Sequence, residues 1–281
     1  MCTSPIKRAD AVPLKCGQCI ECRLAYSREW AIRITHEQTM HTASCMLNLT
    51  YDDDHLPAYG QLVKSDLQKF FKRLRKSGRK FKYVASGEYG DQSRRPHFHI
   101  ALFGVDFVES RHRWGSARSG DHTFICDEIS RLWPQGQHLI GTLNFESAAY
   151  IARYILKKQK GPDAVVKPLA ICEDGEIIMP NPEFMIMSKG IGRSWFRDYF
   201  MTDVFPHAAV ITAQGTKAPV PRFYKTLLKE VGEDLALDMS FRSSVRAEAE
   251  FEARTFENKP HRRAARAIVN NSKTKLFSRT I

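Results

Sequence analysis

The sequence predicts an α+β protein in which an antiparallel sheet carries helices on one side. Three observations lead there. Short β-prone runs recur at residues 45–51, 81–87 and 97–103, the last two alternating in side-chain polarity as strands do. Helical spacing of apolar residues appears between and after them, most plainly at residues 65–78. The connections suit antiparallel neighbours, with no repeat or low-complexity block to suggest a solenoid.

Taken in order, residues 16–36 read as a turn followed by a helix, with Leu24, Trp30 and Ile34 as apolar positions. The run 45–51 stops at the acidic turn Asp52-Asp53-Asp54. Ser65 then opens a helix, and Ser65 with Gln68 matches the pattern of a capping box. Leu67, Phe70, Phe71 and Leu74 form one buried stripe, and Gly78 is a natural stop. Residues 105–127 read as a looser stretch, followed by a helical 128–133 and a strand near 139–143. A second helix is expected over about 147–158, then a loop or hairpin insertion at 161–182. Past about residue 223 the chain reads as helical and partly flexible.

The 281 residues are 43% hydrophobic, enough to bury a core and too many for a disordered chain. No apolar run approaches the roughly 18 residues that cross a bilayer, and the start of the chain lacks a signal-peptide core. A cytoplasmic protein is expected, in a bacterial host if phage-encoded. The net charge of +12 points to a polyanion, because neutralising phosphates releases condensed counterions. Residues 64–82 hold nine Lys or Arg and one acid. Residues 242–281 hold ten basic and four acidic residues, half of the net charge. Nucleic acid is therefore the expected partner, and a membrane is not.

The sharpest motif is Pro96-His97-Phe98-His99. Side chains two apart on a strand share a face, so both imidazoles point one way while Phe98, Ile100 and Leu102 enter the core. Two such imidazoles bind one divalent ion, although a bare His-x-His is equally a pair on a polar sheet face. Glu88, at the end of the preceding strand, returns across the hairpin as a third ligand. Two imidazoles and one carboxylate make an open site suited to Mg²⁺ or Mn²⁺ and able to polarise a phosphate oxygen. The second motif is Tyr150-Ile151-Ala152-Arg153-Tyr154, which puts two phenols on one helical face, with Lys157 and Lys158 beyond. A phenol attacks near neutral pH only where the phosphate is activated and the developing charge is met, a task for Lys157 or Lys158. Arg94, Arg95 and the basic helix with Lys69, Lys72, Arg73 and Lys76 are candidates for gripping the DNA backbone.

These residues resemble the HUH (His-hydrophobic-His) endonucleases, in particular the rolling-circle replication initiators of gokushovirus-like microviruses. The matching segments run in order: Cys16, Cys19 and Cys22 with Ser27-Arg28-Glu29-Trp30-Ala31, Leu47-Asn48-Leu49-Thr50-Tyr51, Gly87-Glu88-Tyr89-Gly90, the two histidines, and Ala149 through Tyr154. Met187-Ser188-Lys189-Gly190-Ile191-Gly192 and Pro221-Arg222-Phe223-Tyr224 look like later family segments. The family pattern is departed from in the longer turn between Glu88 and His97. The resemblance implies a sheet of about five strands flanked by helices, with His97, His99 and Glu88 as metal ligands facing Tyr150 and Tyr154. It further implies that one tyrosine attacks single-stranded origin DNA or an origin hairpin. That attack leaves a 3′-OH and a 5′-phosphotyrosine, and the second tyrosine permits closure of the circle. The endonuclease domain would span residues 1–225 and a basic tail residues 226–281. With no phosphate-binding Gly-Lys-Ser/Thr loop in the sequence, unwinding would fall to a host helicase and extension to a host polymerase.

Seven cysteines make an incomplete disulfide framework. Cys16, Cys19 and Cys22, with Cys2 as a fourth, are expected to hold a small structural zinc, against the alternatives of an iron–sulfur centre or reduced thiols without metal. Three rival functions stay open. A non-catalytic, zinc-stapled single-stranded DNA-binding protein explains the charge and cysteines but leaves the tyrosine pair unused. A histidine-based phosphoryl hydrolase would want a further histidine where Ala101 stands. A structural phage protein needs no polar metal triad.

Overall fold

The computed structural model describes residues 2–6, 13–117, 120–152, 167–212 and 215–278. The chain forms two compact units, one of residues Ile34–Ile191 and one of Met1–Arg33 together with Gly192–Ile281. The boundary expected at residue 225 falls inside the second unit.

The first unit is built on an antiparallel sheet, seven-stranded among the described residues. Its strands are β1 (Ser44–Thr50), β2 (Lys82–Tyr89), β3 (Pro96–Phe103), β4 (Arg111–Ser116), β5 (His122–Cys126), β6 (His138–Gly141) and, after a small separate hairpin of β7 (Ala170–Ile171) and β8 (Ile177–Ile178), β9 (Phe184–Met187). The order is β4-β5-β6-β1-β3-β2-β9. The α+β class holds. The extra strands are β4 and β5, inside the stretch read as irregular, and β9, which follows a Pro-rich segment read as loop. The expected insertion contains the β7–β8 hairpin.

The longest strands, β1, β2 and β3, are inner and buried. On one face Leu47, Leu49, Phe98, Ile100 and Leu102 meet helix α2 (Lys64–Lys76), whose Leu67, Phe70, Phe71 and Leu74 are the predicted stripe. Trp133 joins this layer edge-on to Phe70 and Phe98, and its indole N–H donates to the Thr50 carbonyl at 3.0 Å. Burying a side chain such as Phe98 contributes roughly 1.5–3 kcal/mol. The predicted Ser65–Gln68 capping box is not formed: the helix starts one residue earlier, at Lys64, behind Val63, and without a side-chain cap. The box instead opens α4 (Phe145–Ile151), where Asn144 Oδ1 accepts from the Ser147 N–H and Ser147 Oγ accepts from the Asn144 N–H, each at 2.8 Å.

Helices cover both faces of the sheet, not one. The end of α1 (Ile20–Thr39) lies on the face opposite α2. There its fully buried Glu37 accepts from Lys82 Nζ at 2.8 Å and pairs with His41 Nε2 at 2.8 Å. On the same face α4 packs against β2 and β3.

The second unit is helical, as the C-terminal extension is expected to be: α5 (Arg193–Tyr199), α6 (Arg222–Val231), α7 (Glu233–Glu252) and α8 (Pro260–Ser278). Tyr224, fully buried, stacks on Trp195 and touches Phe196 and Phe200. Among the described residues no helix is long and apolar enough to cross a membrane.

Candidate functional site

Alternation along β3 does what the sequence implies. Phe98 and Ile100 are sealed in the core, so His97 and His99 emerge on the other face, with ring centroids 4.7 Å apart. Strand register supplies their neighbours. Glu88 on β2 is directly opposite His97, while Ser86 on β2 and Asn48 on β1 flank His99. One ligand atom from each of Glu88, His97 and His99 lies within 4.8 Å of the other two. Glu88 is 3% exposed and His99 2%, and Ser86 Oγ donates to Glu88 Oε1 at 3.1 Å.

Both imidazoles are oriented from behind. His99 Nδ1 lies 2.6 Å from Asn48 Oδ1, and His97 Nδ1 lies 3.1 Å from the Arg95 carbonyl. Each oxygen accepts, which assigns the proton to Nδ1 and the lone pair to Nε2, the pattern of metal-ligating histidines. Two such nitrogens and a carboxylate fit a divalent cation with coordination positions left for substrate. The edge of the Tyr150 ring meets His99, with centroids 4.6 Å apart and planes at 83°. α4 sets that contact: Ala148 and Ile151 are buried, and Tyr150 is half-buried on the histidine side.

Asn48 and Ser86 carry no role in the sequence reading. The signal for Asn48 is a polar residue between the core positions Leu47 and Leu49, on the face that the histidines occupy. Tyr154, Lys157 and Lys158 lie outside the described residues.

The basic candidates separate. Arg95 Nε donates to the Tyr51 carbonyl at 3.0 Å and its guanidinium pairs with Asp53 at 2.7 Å, tying the β2–β3 turn to the end of β1. Arg94, with a left-handed φ of 55°, donates to the carbonyls of Lys167 and Pro168 at 3.2 and 3.4 Å. Arg73 donates to the Leu132 carbonyl at 2.7 Å and so braces the core. Lys69 pairs with Asp66 at 3.3 Å, and Lys72 and Lys76 are exposed. All four α2 residues belong to the helix on the sheet face opposite the histidines, so the structure does not bring them to the triad.

Cys2, Cys16, Cys19 and Cys22 do come together, in the second unit. Burial acts to raise the Cys19 thiol, but N–H donors from Thr3 and Cys22 outweigh it and bring it down to about 6. Burial pushes Cys2 and Cys22 up.

Residues 44–159 match the model of a family described as replication-associated protein of the ORF2 type. The chain is 30% identical over 233 residues to the replication-associated protein VP4 of Bdellovibrio phage phiMH2K, covering 80% of this chain and 70% of that one. It is 32% identical over 239 residues to the replication-associated protein ORF2 of Spiroplasma virus 4, with the same coverage of 80% and 70%. This protein belongs to the phage replication-associated protein family. The replication-associated protein ORF4 of Chlamydia phage 1 is 28% identical over 244 residues, 83% of this chain and 58% of the relative. No solved structure matches. The resemblance to replication initiators of small phages is borne out, and the span matched by the family model contains β1, β3, Glu88 and Tyr150.

Proposed function

We propose that this replication-associated protein starts rolling-circle replication by nicking and rejoining one DNA strand through a tyrosine of the Tyr150–Tyr154 helix. The observation that carries the reading is Tyr150 against His99, within a cluster where Glu88, His97 and His99 converge.

The chemistry follows from these side chains. The Tyr150 phenolate attacks the scissile phosphorus in line, its phenolic proton having been lost. A P–O bond forms to tyrosine as the bond to the 3′ oxygen breaks, giving a 3′-OH and a 5′-phosphotyrosine. Attack of a 3′-OH on that phosphotyrosine reverses the exchange and rejoins the strand without an external energy source. Mg²⁺ or Mn²⁺, held by Glu88 and the Nε2 atoms of His97 and His99, would polarise the phosphate and offset its charge. Asn48 and the Arg95 carbonyl keep both imidazoles turned toward that position. Tyr154 as the second nucleophile, and Lys157 or Lys158 against the developing charge, extend the proposal from the family pattern. The expected substrate is single-stranded or hairpin origin DNA, with a host polymerase extending the 3′ end and a host helicase unwinding.

The test is cleavage of labelled single-stranded oligonucleotides tiled across the encoding genome, with Mn²⁺ or with chelator. Metal-dependent nicking at one site, lost on His97→Ala and on joint Tyr150→Phe and Tyr154→Phe replacement, is expected. Tight binding without nicking at any site would favour the non-catalytic DNA-binding reading.

A further inference from the structure

The opening of α1 gathers sulfur in a way the nicking site does not use. Cys19 and Cys22 sit one turn apart at the helix start, and Cys16 lies in the preceding turn, where Gly17 adopts a left-handed φ of 78°. Cys2 arrives from the other direction, returned by a two-residue bridge in which Ile6 and Leu14 exchange backbone hydrogen bonds of 2.9 and 3.0 Å. All four Sγ atoms lie within 4.8 Å of one another. Cys2 and Cys19 are 3.7 Å apart. A disulfide needs about 2.05 Å. A tetrahedron of sulfurs each about 2.3 Å from a central zinc has edges of about 3.8 Å.

Backbone N–H groups are aimed at the sulfurs: Cys16 donates to Cys2 at 3.3 Å, Thr3 to Cys19 at 3.4 Å, and Gln18 and Cys19 to Cys16 at 3.4 and 3.3 Å. Such donors stabilise thiolate, the form that binds metal, and leave sulfur little reason to cluster as neutral thiols. Cys2 and Cys22 are 7% and 6% exposed.

We propose that Cys2, Cys16, Cys19 and Cys22 bind one Zn²⁺ as a closed structural site, the thiols giving up their protons as the metal enters. Four protein ligands leave no position for substrate, so this zinc takes no part in phosphate chemistry. Its effect is to fix the N-terminal strand to the start of α1. The clasp reaches farther through Glu21, which accepts from Thr3 Oγ1 and, at 3.4 Å, from Asn270 Nδ2 on α8. Zinc thereby orders the N-terminal segment and the C-terminal helix of the same unit. This inference does not depend on the nicking reading.

The experiment measures metal in the full-length protein. Zinc is supplied during expression, and content is read by mass spectrometry and by mercurial release into a chromogenic chelator. About one zinc per chain is expected, unchanged in the joint His97→Ala and His99→Ala variant and below about a tenth of that in Cys16→Ser or Cys19→Ser. Because a cysteine variant that fails to fold would also lose metal, the unaltered protein is loaded with Co²⁺ as well. Intense thiolate-to-cobalt charge transfer with tetrahedral visible bands is expected. Zinc that follows the histidines, no stoichiometric zinc after reconstitution, bound iron with sulfide, or a cobalt spectrum without thiolate bands would each overturn the proposal.

Discussion

Replacing Asn48 by Ala probes whether the triad is built to hold a metal. Asn48 Oδ1 sits 2.6 Å from His99 Nδ1, a short contact beside a buried ring. Removing it costs stability of about 1 kcal/mol for a lost hydrogen bond, a change most domains survive. The effect on metal should be larger than that modest loss suggests. Without the acceptor the His99 ring is free to protonate Nε2 or rotate, and losing such an outer partner weakens metal affinity by about 10–100-fold. That range corresponds to about 1.4–2.8 kcal/mol. Mn²⁺ binding is measured by calorimetry or electron paramagnetic resonance, and nicking is followed across a Mn²⁺ titration. The expected result is a midpoint displaced upward by that factor, with nicking recovered at high metal, while Asn48→Asp keeps the acceptor and the affinity. An unchanged midpoint in Asn48→Ala, alongside abolished binding in His99→Ala, would refute the argument that Nδ1 is held so that Nε2 can ligate.

Three further outcomes follow. A Cβ on Gly87 would lie 2.7 Å from Phe184 Cζ, so Gly87→Ala should overpack the β2–β9 contact and lower stability by about 1–3 kcal/mol, with Phe184→Leu restoring part of it; an unchanged urea midpoint would contradict this. Burial holds His36 at about 3, below its ordinary 6.5, and also lowers His138, whose Nε2 accepts from the Cys126 N–H at 2.8 Å. The unfolded chain therefore takes up protons first, so stability from these rings is complete above pH 6.5 and lost as pH falls toward 3, about 2 kcal/mol at pH 5 for His36. Denaturation at pH 7.5 and 5.0 should show a smaller drop in His36→Gln than in the unaltered protein, and an equal drop would count against it. Joint Lys72→Ala and Lys76→Ala replacement should leave short-oligonucleotide nicking intact while lowering the salt slope for long single-stranded DNA by about 0.7 per lost contact, and a loss of nicking would place α2 at the site after all.

The sequence carried the central site further than its surroundings. Period-two alternation fixed the directions of His97 and His99, and the hairpin placed Glu88 across from them, because strand geometry is local. Asn48 and Ser86 were visible only as polar residues among apolar ones, since their role depends on register across three strands. β4 was missed because its exposed Arg111, His112 and Arg113 give no buried face to alternate with. β9 was hidden by Pro180 and Pro182 just before it. The capping box failed at Ser65 and appeared at Asn144, where an Asn and a Ser do the work of the usual Ser and Glu. The basic stripe on α2 was legible as charge but not as position, since only the packed sheet shows that it lies behind the histidines.

The most direct test of the account is to trap the protein on a nicked oligonucleotide and sequence the cross-linked peptide by mass spectrometry. The account predicts a Mn²⁺-dependent 5′-nucleotide on a tyrosine of the 150–154 helix, with Tyr150 the expected carrier, and none in His99→Ala. Site-specific nicking that leaves no phosphotyrosine, or a nucleotide attached elsewhere in the chain, would contradict it.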